Sequence, residues 1–499
     1  MRATPTLCCV LALLGCDAAK QPAPGASLLA APAATTAAEQ PPPHSAPSAN
    51  SLGEQQARAA LDRDFPLRGR VTGTQLRVRE QPEPEAMVLG WVRVGAALRL
   101  GGAPVKTPTC NSGWYSLHPR GFVCIGEGIE LVPAGQAREN TAIPAGPADP
   151  EDATESALPY RYYFVKEPRV PEYHRLPGRA DQRRAQAFVE RYFELAKKSE
   201  KRAERFWAGE LADELERPAV VRRFLDRGFF VAAAGFEERE GRRFVRTVRG
   251  SYVQQARLLE RTGSDFRGVE LDEQRSLPLA WAVREAQPFE VKRRDDGSLR
   301  MVADEAHPPF ARLALVPWAG YERVDTRTFH RLEDGRYLKH WFLAVAEAVA
   351  RPKGVGPEER WVHVNLGSQT MVLYDGDRPV YATLVSSGLS EHPTPTGLFE
   401  IRRKLLTATM SDLGPEAGDD RYSIDDVPYA QYFEGSVALH GAFWHERFGL
   451  QRSHGCVNLA PHDARRAFEH TQPQLPSAWH GVSTDKTGFT SSKVYVTEK

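Results

Sequence analysis

Hydrophobic and polar residues alternate over short stretches along much of the chain, a pattern that predicts many short β-strands. Successive side chains of a strand point to opposite faces, so an alternation of period two indicates a half-buried strand. Between about residues 68 and 133, Leu76–Arg79 and Trp91–Val94 alternate in this way and are separated by Gly and Pro. We therefore predict a small all-β domain at residues 65–133.

The clearest alternation begins at Trp361, near the start of a C-terminal domain that we place at residues 358–499. A first strand starts there, a second is predicted at 370–374, and a third is predicted at 378–387. The Asp-Gly-Asp sequence at 375–377 between the last two has the composition of a hairpin turn. This domain therefore begins as an all-β meander.

One helix is predicted late in the same domain, at Pro461–His470. Proline suits the first turn of a helix, and Asp463 is favourable there because the N-terminal end of a helix is electropositive.

The middle region, residues 159–350, has weaker patterns and is predicted to be α+β. A helix is expected from Asp181 to about Arg202, since apolar residues recur there at helical spacing. They are Phe188, Val189, Tyr192, Phe193 and Leu195. The segments 249–253 and 334–338 resemble each other weakly. They mark either two further small β modules or two unrelated turn–strand pieces, and we assign the region no chemistry.

Composition separates these regions and excludes several classes of protein. Residues 16–60 and 134–158 are rich in Ala, Pro and polar residues, which favours a tether and a linker. The 65 Lys+Arg nearly balance the 64 Asp+Glu, so neither a basic face for nucleic acid nor an acidic tail is expected. No run of about 18 apolar residues is present, which argues against an integral membrane protein.

The first residues have the pattern of an export signal. Arg2 precedes the apolar stretch Leu7–Leu14, and Gly15-Cys16 follows it. This arrangement resembles a bacterial lipoprotein signal, in which residues 1–15 are removed and Cys16 is lipidated. The resemblance implies an exported protein, lipid-anchored at the periplasmic side of the cell envelope. An ordinary signal peptide with an incidental cysteine is the alternative.

Export leaves three of the six cysteines in the folded part. Cys110 and Cys124 are 14 residues apart in the predicted β domain and are expected to form a disulfide, with two buried thiols as the alternative. Cys456 then has no partner. An unpaired cysteine in an exported protein is either incidental or reactive, and its neighbours decide between the two.

The neighbours of Cys456 favour a reactive thiol. The sequence Ala438–Gly441 contains His440, and Ser453–Asn458 contains the cysteine. A thiolate attacks an acyl carbon far faster than a thiol, and a histidine at the end of a strand can act as the base. Gly455 lets the backbone approach a substrate, so we expect the amides of Gly455 and Cys456 to stabilise an oxyanion. Acyl transfer by a Cys–His pair is the leading chemistry.

His-Gly followed by Ser-His-Gly-Cys-Val-Asn resembles the signature of the L,D-transpeptidase catalytic domain of the YkuD type. The resemblance also includes the opening meander, Thr394–Gly397 and the stretch from Val427 to Phe433, and covers about residues 358–499. It implies a β-sandwich-like domain. The order of strands in residues 65–133 resembles the bacterial SH3-like barrel, which implies either wall or partner binding or a spacer without a ligand.

The resemblance to the L,D-transpeptidase domain implies roles for individual residues. Cys456 is the nucleophile, His440 is the base, and the backbone carbonyl of Gly441 orients the imidazole. The residues implied to shape the catalytic loop, with His454 near the oxyanion, are Ser453, His454, Gly455 and Asn458. The residues implied to form a lid over the acyl-donor groove are Tyr432, Tyr429 and Met410. Many members of the family carry Arg at the position of Asn458, and both variants are familiar.

The implied reaction uses peptidoglycan stem peptides and requires no metal or organic cofactor. The cysteine attacks the carbonyl of the third stem residue, usually meso-diaminopimelate, and D-alanine leaves. The amine of a neighbouring stem then resolves the thioester into a 3→3 cross-link. Resolution by water gives an L,D-carboxypeptidase, and another protein as acceptor gives wall attachment. Carbapenem-type β-lactams are expected to acylate Cys456.

Other functions fit the sequence less well. The histidines and Cys456 lack the spacing of a zinc site, and His445 and His462 are interpreted as surface or packing residues. A Cys–His endopeptidase would carry its cysteine well before its histidine. A lipid-anchored, non-catalytic wall-binding scaffold would not need both catalytic residues. A set of acidic residues lacks the pattern of a calcium loop and is expected to form a solvated lid: Glu416, Asp419, Asp420, Asp425 and Asp426.

Overall fold

The computed structural model describes residues 49–126, 128–133, 157–211, 214–324, 326–413 and 421–498. The described residues from Arg58 onward form one compact unit. The first element is helix α1 (Ala49–Asp64). Within the described ranges, no helix has both the length and the apolar character needed to cross a bilayer. The predicted signal peptide, Cys16 and most of the predicted tether and linker lie outside the described residues.

The fold is mainly β, as predicted. The N-terminal β domain has eight strands: β1 (Leu67–Val71), β2 (Gln75–Arg79), β3 (Val88–Arg93), β4 (Ala97–Leu100), β5 (Val105–Thr107), β6 (Cys110–Ser116), β7 (Phe122–Cys124) and β8 (Ile129–Val132). β1 lies between β4 and β8, and β3, β2, β7, β6 and β5 follow one another in a second antiparallel array. Cys110 and Cys124 form a disulfide between neighbouring strands, with Cα atoms 6.0 Å apart. The relation of this N-terminal β domain to SH3-like barrels stays a prediction.

The middle region begins with a seven-stranded module: β9 (Arg161–Val165), β10 (Val170–Tyr173), β11 (Val221–Leu225), β12 (Phe230–Arg239), β13 (Arg242–Thr247), β14 (Tyr252–Gln254) and β15 (Leu258–Arg261). Their antiparallel order is β11–β10–β14–β13–β12–β9–β15. A 3₁₀ turn at Gln255–Arg257 connects the last two strands in sequence.

Two helices are inserted between β10 and β11, where one helix was predicted. They are α2 (Arg179–Ala196) and α3 (Glu200–Trp207). The hydroxyl of Ser199 accepts a hydrogen bond from the backbone N–H of Arg202 and begins the second helix. The predicted single helix is therefore wrong, because serine at this position stabilises a new helix start rather than continuation of the first.

A second middle module follows, after the short strand β16 (Val269–Glu270). Its strands are β17 (Leu279–Ala282), β18 (Phe289–Arg293), β19 (Leu299–Ala303), β20 (Leu315–Val316), β21 (Trp318–Val324), β22 (Arg327–Leu332), β23 (Tyr337–Lys339) and β24 (Leu343–Ala346). β17 lies between β20 and β24, and β19, β18, β23, β22 and β21 form an antiparallel sheet.

The two similar segments occupy equivalent places in the two middle modules. Each lies at a turn and the short strand after it, β14 or β23, and each is followed by a 3₁₀ turn and a last strand. In both modules that last strand pairs with the module's first strand, β15 with β9 and β24 with β17. Of the two alternatives left open by the sequence, the structure has two small β modules.

The C-terminal domain has two sheets and one helix. Its elements are β25 (Arg360–Asn365), β26 (Thr370–Asp375), β27 (Arg378–Leu384), β28 (Gly397–Glu400), β29 (Arg403–Asp412), β30 (Tyr422–Glu434), β31 (Val437–Gly441), β32 (Val457–Leu459), α4 (Pro461–His470), β33 (Gly481–Ser483) and β34 (Lys493–Thr497). The predicted helix and the predicted first three strands are present. One sheet has the order β16–β27–β26–β25–β34–β28, and the other has the order β33–β29–β30–β31–β32.

A shared apolar core joins the two C-terminal sheets. Buried residues of the first sheet, such as Val362 and Leu373, pack with Phe433 and Leu439 of the second and with Phe468 of α4. The second sheet therefore buries one face in this core, and its other face carries the candidate site described below.

The N-terminal β domain packs directly against the second sheet. β3 pairs with β33, with Gly90 opposite Val482 and Trp91 opposite Gly481. Trp479 of the C-terminal domain is 1% exposed and completes the apolar core of the β domain. The two domains thus share strand pairing and a buried side chain.

A buried ion network connects the first middle module and the β domain to β30. Arg93 Nη1 lies 2.5 Å from Asp426 Oδ1, and Arg223 Nη2 lies 2.5 Å from Asp425 Oδ2. Arg249 lies 3.8 Å from Asp425 and 3.6 Å from Asp426. Both aspartates are 2% exposed. The expectation of a solvated acidic lid is therefore wrong for Asp425 and Asp426, because arginines from other domains cover them.

Candidate active site

His440 and Cys456 lie on the same face of two neighbouring parallel strands. β31 and β32 run side by side, with His440 opposite Asn458. Continuing this register places Cys456 opposite Ala438, whose backbone N–H is hydrogen-bonded to the Cys456 sulfur. Residues two apart on a strand share a face, so strand geometry puts the Cα atoms of His440 and Cys456 about 8 Å apart. Two side chains across this distance can exchange a proton.

The imidazole of His440 is held in one orientation. Its Nδ1 lies 3.2 Å from the backbone oxygen of Gly441, the contact expected from the sequence. The ring also stacks on Trp444, with centroids 5.8 Å apart. Because Nδ1–H donates to a carbonyl, the lone pair of the neutral ring is on Nε2, where a base needs it. Burial lowers the pKa of His440 to about 4.

A network of short hydrogen bonds holds the loop that carries the cysteine. The hydroxyl of Ser453 donates to the backbone oxygen of Cys456 and accepts from the N–H of Gly455 at 3.2 Å. Gly455 has φ +110°, a conformation that disfavours any side chain. Thr394 Oγ1 donates to the oxygen of Gly455 at 2.8 Å and accepts from the N–H of Gly388 at 2.9 Å. The Thr-Pro-Thr-Gly stretch thus braces the catalytic loop.

The expected oxyanion donors are only partly available. The N–H of Gly455 is already bonded to Ser453, so the prediction that it stabilises an oxyanion is wrong for this conformation. The N–H of Cys456 is the remaining candidate of that pair. The thiol itself donates to the oxygen of Ser436 at 3.6 Å. Burial raises the pKa of Cys456, and the N–H of Ala438 opposes this effect.

Two tyrosines face the cysteine across the mouth of the site. Burial raises the pKa of Tyr422 and of Tyr432, and the negative charge of a Cys456 thiolate raises both further. The exposed ring of His454 stacks on Tyr422, with centroids 5.9 Å apart, and contacts the ring of His392 at a tilted angle, with centroids 4.9 Å apart. Tyr422 was not among the residues selected from the sequence, since it lies outside the quoted motifs.

The other two predicted lid residues have different positions. Tyr429 is 1% exposed, packs against Phe468 in the core between the sheets, and donates through its hydroxyl to the oxygen of Ala157 at 2.7 Å. Its assignment to a substrate groove is wrong, because its side chain is on the core face of β30. Met410 packs on the same side of the sheet as Tyr432, beside Leu405.

The side chain of Asn458 contacts His445, which is interpreted from the sequence as a surface or packing residue. Its side-chain amide lies 2.8 Å from His445 Nε2, and the backbone N–H of Arg447 donates to His445 Nδ1 at 3.1 Å. Burial lowers the pKa of His445 to about 3, so the ring is neutral. His445 therefore helps to fix Asn458 beside the catalytic pair. Across the described residues, no three His, Cys, Asp or Glu side chains gather as a metal site would require.

Comparison with known proteins gives the same assignment for this part of the chain. Residues 359–496 match the sequence profile of the YkuD family, described as the L,D-transpeptidase catalytic domain. YciB of Bacillus subtilis (strain 168), provisionally named an L,D-transpeptidase, is 27% identical over 129 residues. That alignment covers 22% of this chain and 60% of the relative.

Solved structures of similar proteins were also found. The catalytic domain of an Enterococcus faecium L,D-transpeptidase is 24% identical and covers 28% of this chain and 98% of its own, with a TM-score of 0.22. An L,D-transpeptidase from Mycobacterium smegmatis is 15% identical and covers 48% of this chain and 90% of its own, with a TM-score of 0.23. From the profile match, which contains both Cys456 and His440, we conclude that residues 359–496 are an L,D-transpeptidase catalytic domain.

Proposed function

We propose that this chain is a peptidoglycan L,D-transpeptidase that forms 3→3 cross-links through a thioester on Cys456. The observation that carries the proposal is the placement of Cys456 and His440 on one sheet face, with His440 Nδ1 bonded to Gly441. A thiol beside an oriented neutral imidazole is the arrangement that acyl transfer requires.

In the first step Cys456 Sγ attacks the carbonyl carbon of the third stem residue while His440 Nε2 takes the thiol proton. The carbonyl oxygen becomes negative, and the N–H of Cys456 is the candidate donor to it. Collapse of this intermediate breaks the C–N bond to the terminal D-amino acid. His440 returns the proton to the leaving amine, and a thioester remains.

In the second step the amine of a neighbouring stem attacks the thioester carbonyl. His440 takes a proton from that amine, the C–S bond breaks, and the sulfur regains a proton. One amide has been exchanged for another, so the reaction needs no external source of energy. The acceptor decides the outcome, because water in place of the amine gives the trimmed stem of a carboxypeptidase.

The burial of both groups favours a proton transfer that accompanies attack. With the pKa of His440 lowered to about 4 and that of Cys456 raised, the resting pair is a neutral thiol and a neutral imidazole. Substrate in the site would therefore be attacked as the proton moves, and not by a preformed thiolate.

The test uses the full chain with tetrapeptide-containing muropeptides and reads the products by mass. We expect cross-linked dimers from the unmodified protein and none from Cys456→Ala. The His440→Gln variant should lose at least about 100-fold in rate, as expected for a general base. A carbapenem should add its mass to the protein, and Cys456→Ala should remain unmodified.

Each other result contradicts part of the proposal. Tripeptides without dimers would mean that water is the acceptor and the chain is an L,D-carboxypeptidase. Transfer of the stem to a protein amine alone would mean wall attachment. A folded protein that forms neither product nor carbapenem adduct would leave a non-catalytic, wall-binding scaffold.

We also propose, from Leu7–Cys16 alone, that the chain is exported and lipid-anchored through Cys16. Metabolic labelling with a radioactive fatty acid should mark the natural chain. The Cys16→Ala variant should be unlabelled, and labelling that persists in it would contradict the proposal.

A further inference from the structure

A cavity of about 330 Å³ lies beside the candidate active site, where three domains meet. We call it the arginine pocket. The N-terminal β domain, the first middle module and the C-terminal domain each supply part of its wall. Residues that line it and enter the argument are Thr74, Gln75, Arg249, Arg403 and Tyr432.

Among the described residues that line this pocket, Arg403 is the arginine whose positive charge is not balanced by a nearby carboxylate. Arg249, which also lines it, is within 4 Å of the two aspartates of the buried ion network. Arg403 has no carboxylate within that distance among the residues that the structure describes. Its guanidinium carbon lies 4.2 Å from the ring centroid of Tyr432, and its Nε is buried without a hydrogen-bond partner. A buried guanidinium nitrogen without a partner is costly, and an anionic ligand would satisfy it.

The sheet connects this arginine to the catalytic cysteine in one row. Arg403 is opposite Tyr432, Tyr432 is opposite Ala438, and continuation of the β31–β32 register places Ala438 opposite Cys456. Directly paired residues share a face, so the side chains of Arg403, Tyr432 and Cys456 are all on the face away from the core. Two strand spacings separate Tyr432 from Cys456, about 10 Å between Cα atoms.

That distance suits an extended peptide bound at the site. A strand-like chain advances about 3.3 Å per residue, so a stem tetrapeptide is about 13 Å long, comparable with the separation of Tyr432 and Cys456. The exposed polar residues Thr74 and Gln75 line the same cavity and provide additional hydrogen-bonding groups for a ligand.

We propose that Arg403 binds a free carboxylate of the stem peptide and that the arginine pocket thereby positions the substrate for Cys456. This inference rests on the proposed function, which it extends by naming the charged group that the site recognises. It also gives the N-terminal β domain a direct part in the substrate site, since Thr74 and Gln75 belong to that domain.

The experiment measures binding separately from catalysis. The full chain with Cys456→Ala is titrated with a stem tetrapeptide that has all its carboxylates free, and with versions amidated at one carboxylate at a time. Arg403→Gln should weaken binding of the free-acid peptide about 10- to 100-fold, the range of a charge-assisted hydrogen bond. Arg403→Lys should restore part of the loss, because it keeps the charge but not the bidentate geometry.

The adjacent residue gives a matched control. Arg402, which directly precedes β29, is exposed, and its guanidinium lies 3.7 Å from Glu434. Arg402→Gln removes the same charge from the neighbouring position and should change binding less than about twofold. A thermal denaturation curve for each variant establishes that it is folded.

The amidated peptides identify the carboxylate. Amidation at the correct position should weaken binding to the natural Arg403 protein as much as Arg403→Gln does. The same amidated peptide should bind equally to proteins with and without Arg403. The proposal would be overturned if the free-acid peptide bound equally to proteins with and without Arg403. It would also be overturned if Arg403→Gln weakened the binding of every amidated peptide by the same factor.

The failure of this inference can be distinguished from failure of the proposed function. If the natural chain produces dimers and Arg403→Gln has an unchanged KM, the function stands and the carboxylate site does not. If the natural chain forms no thioester but its Cys456→Ala form binds the acidic peptide through Arg403, the binding site stands without the reaction.

Discussion

At the residue scale, the effect of burial on Cys456 and His440 determines how the pair can react. Burial disfavours the charged form of each group, which raises the pKa of the thiol and lowers that of the imidazole. A thiolate–imidazolium pair would carry two charges at this site. The neutral pair is therefore the resting state, unlike the preformed ion pair found in some cysteine enzymes.

This state predicts the pH dependence of Cys456 alkylation. Because burial raises the thiol pKa above its ordinary value of 9.0, the rate of reaction with iodoacetamide should still be increasing at pH 9. The rate is measured by mass from pH 6 to pH 10, with Cys456→Ala as control. A plateau that begins below pH 7 would show that a thiolate is already present and would contradict the neutral resting pair.

At the element scale, sequence patterns located most strands but not the face that each side chain occupies. Tyr429 and Tyr432 were both assigned to a lid, although three residues along a strand separate opposite faces. The structure follows that alternation, with Tyr429 in the core and Tyr432 beside Arg403. The motifs around His440 and Cys456 located the candidate base and nucleophile, because local sequence defines those segments. Arg403 was missed, since it belongs to no local motif.

The pairing of β3 with β33 gives a test of the junction between domains. A Cβ atom at Gly90 would lie 2.3 Å from the oxygen of Gly481 and 2.5 Å from the ring of Trp479. Gly90→Val should therefore lower the free energy of unfolding by about 3 kcal/mol, as overpacking of a well-packed core does.

The control for that prediction is Gly102→Val in the same domain. A Cβ atom there would meet only Pro66, at 3.3 Å, so the free energy of unfolding should change by less than about 1 kcal/mol. Urea denaturation measures both variants. Equal stability of Gly90→Val and the natural chain would contradict the close approach of β3 and β33.

At the scale of the whole molecule, long-range contacts hold the domains together. Arg93 and Asp426 are far apart in sequence, yet they form a buried ion pair that connects the β domain to β30. Alternation and composition divide a chain into domains, but they do not reveal which charged residues meet across an interface. This is why the buried aspartates were taken for a solvated lid and the arginine pocket could not be foreseen.

Buried histidines in several elements predict loss of stability in mild acid. Burial lowers the pKa to about 4 in His363, His440, His470 and His480. Each of these groups has a folded pKa below its unfolded value of 6.5, so its stabilising contribution is complete above pH 6.5. It is lost as the pH falls toward 4, by about 2 kcal/mol per histidine between pH 7 and pH 5.

The buried carboxyl of Asp463 opposes this trend. Burial raises the pKa of Asp463 to about 6, so its protonation restores about 1 kcal/mol over the same interval. The free energy of unfolding in urea should therefore fall by several kcal/mol from pH 7 to pH 5. His363→Gln should reduce that dependence. A free energy that is constant or increases toward pH 5 would contradict the assignment of these histidines as buried and neutral.

Completion of the N-terminal core by Trp479 has a consequence for the order in which the chain acquires its fold. The β domain is synthesised before the middle modules, whereas Trp479 and the partner strand β33 are synthesised after them. The β domain therefore cannot reach its final packing until the middle modules and most of the C-terminal domain have been made. A chain cut short before Trp479 would leave the β domain with an open core.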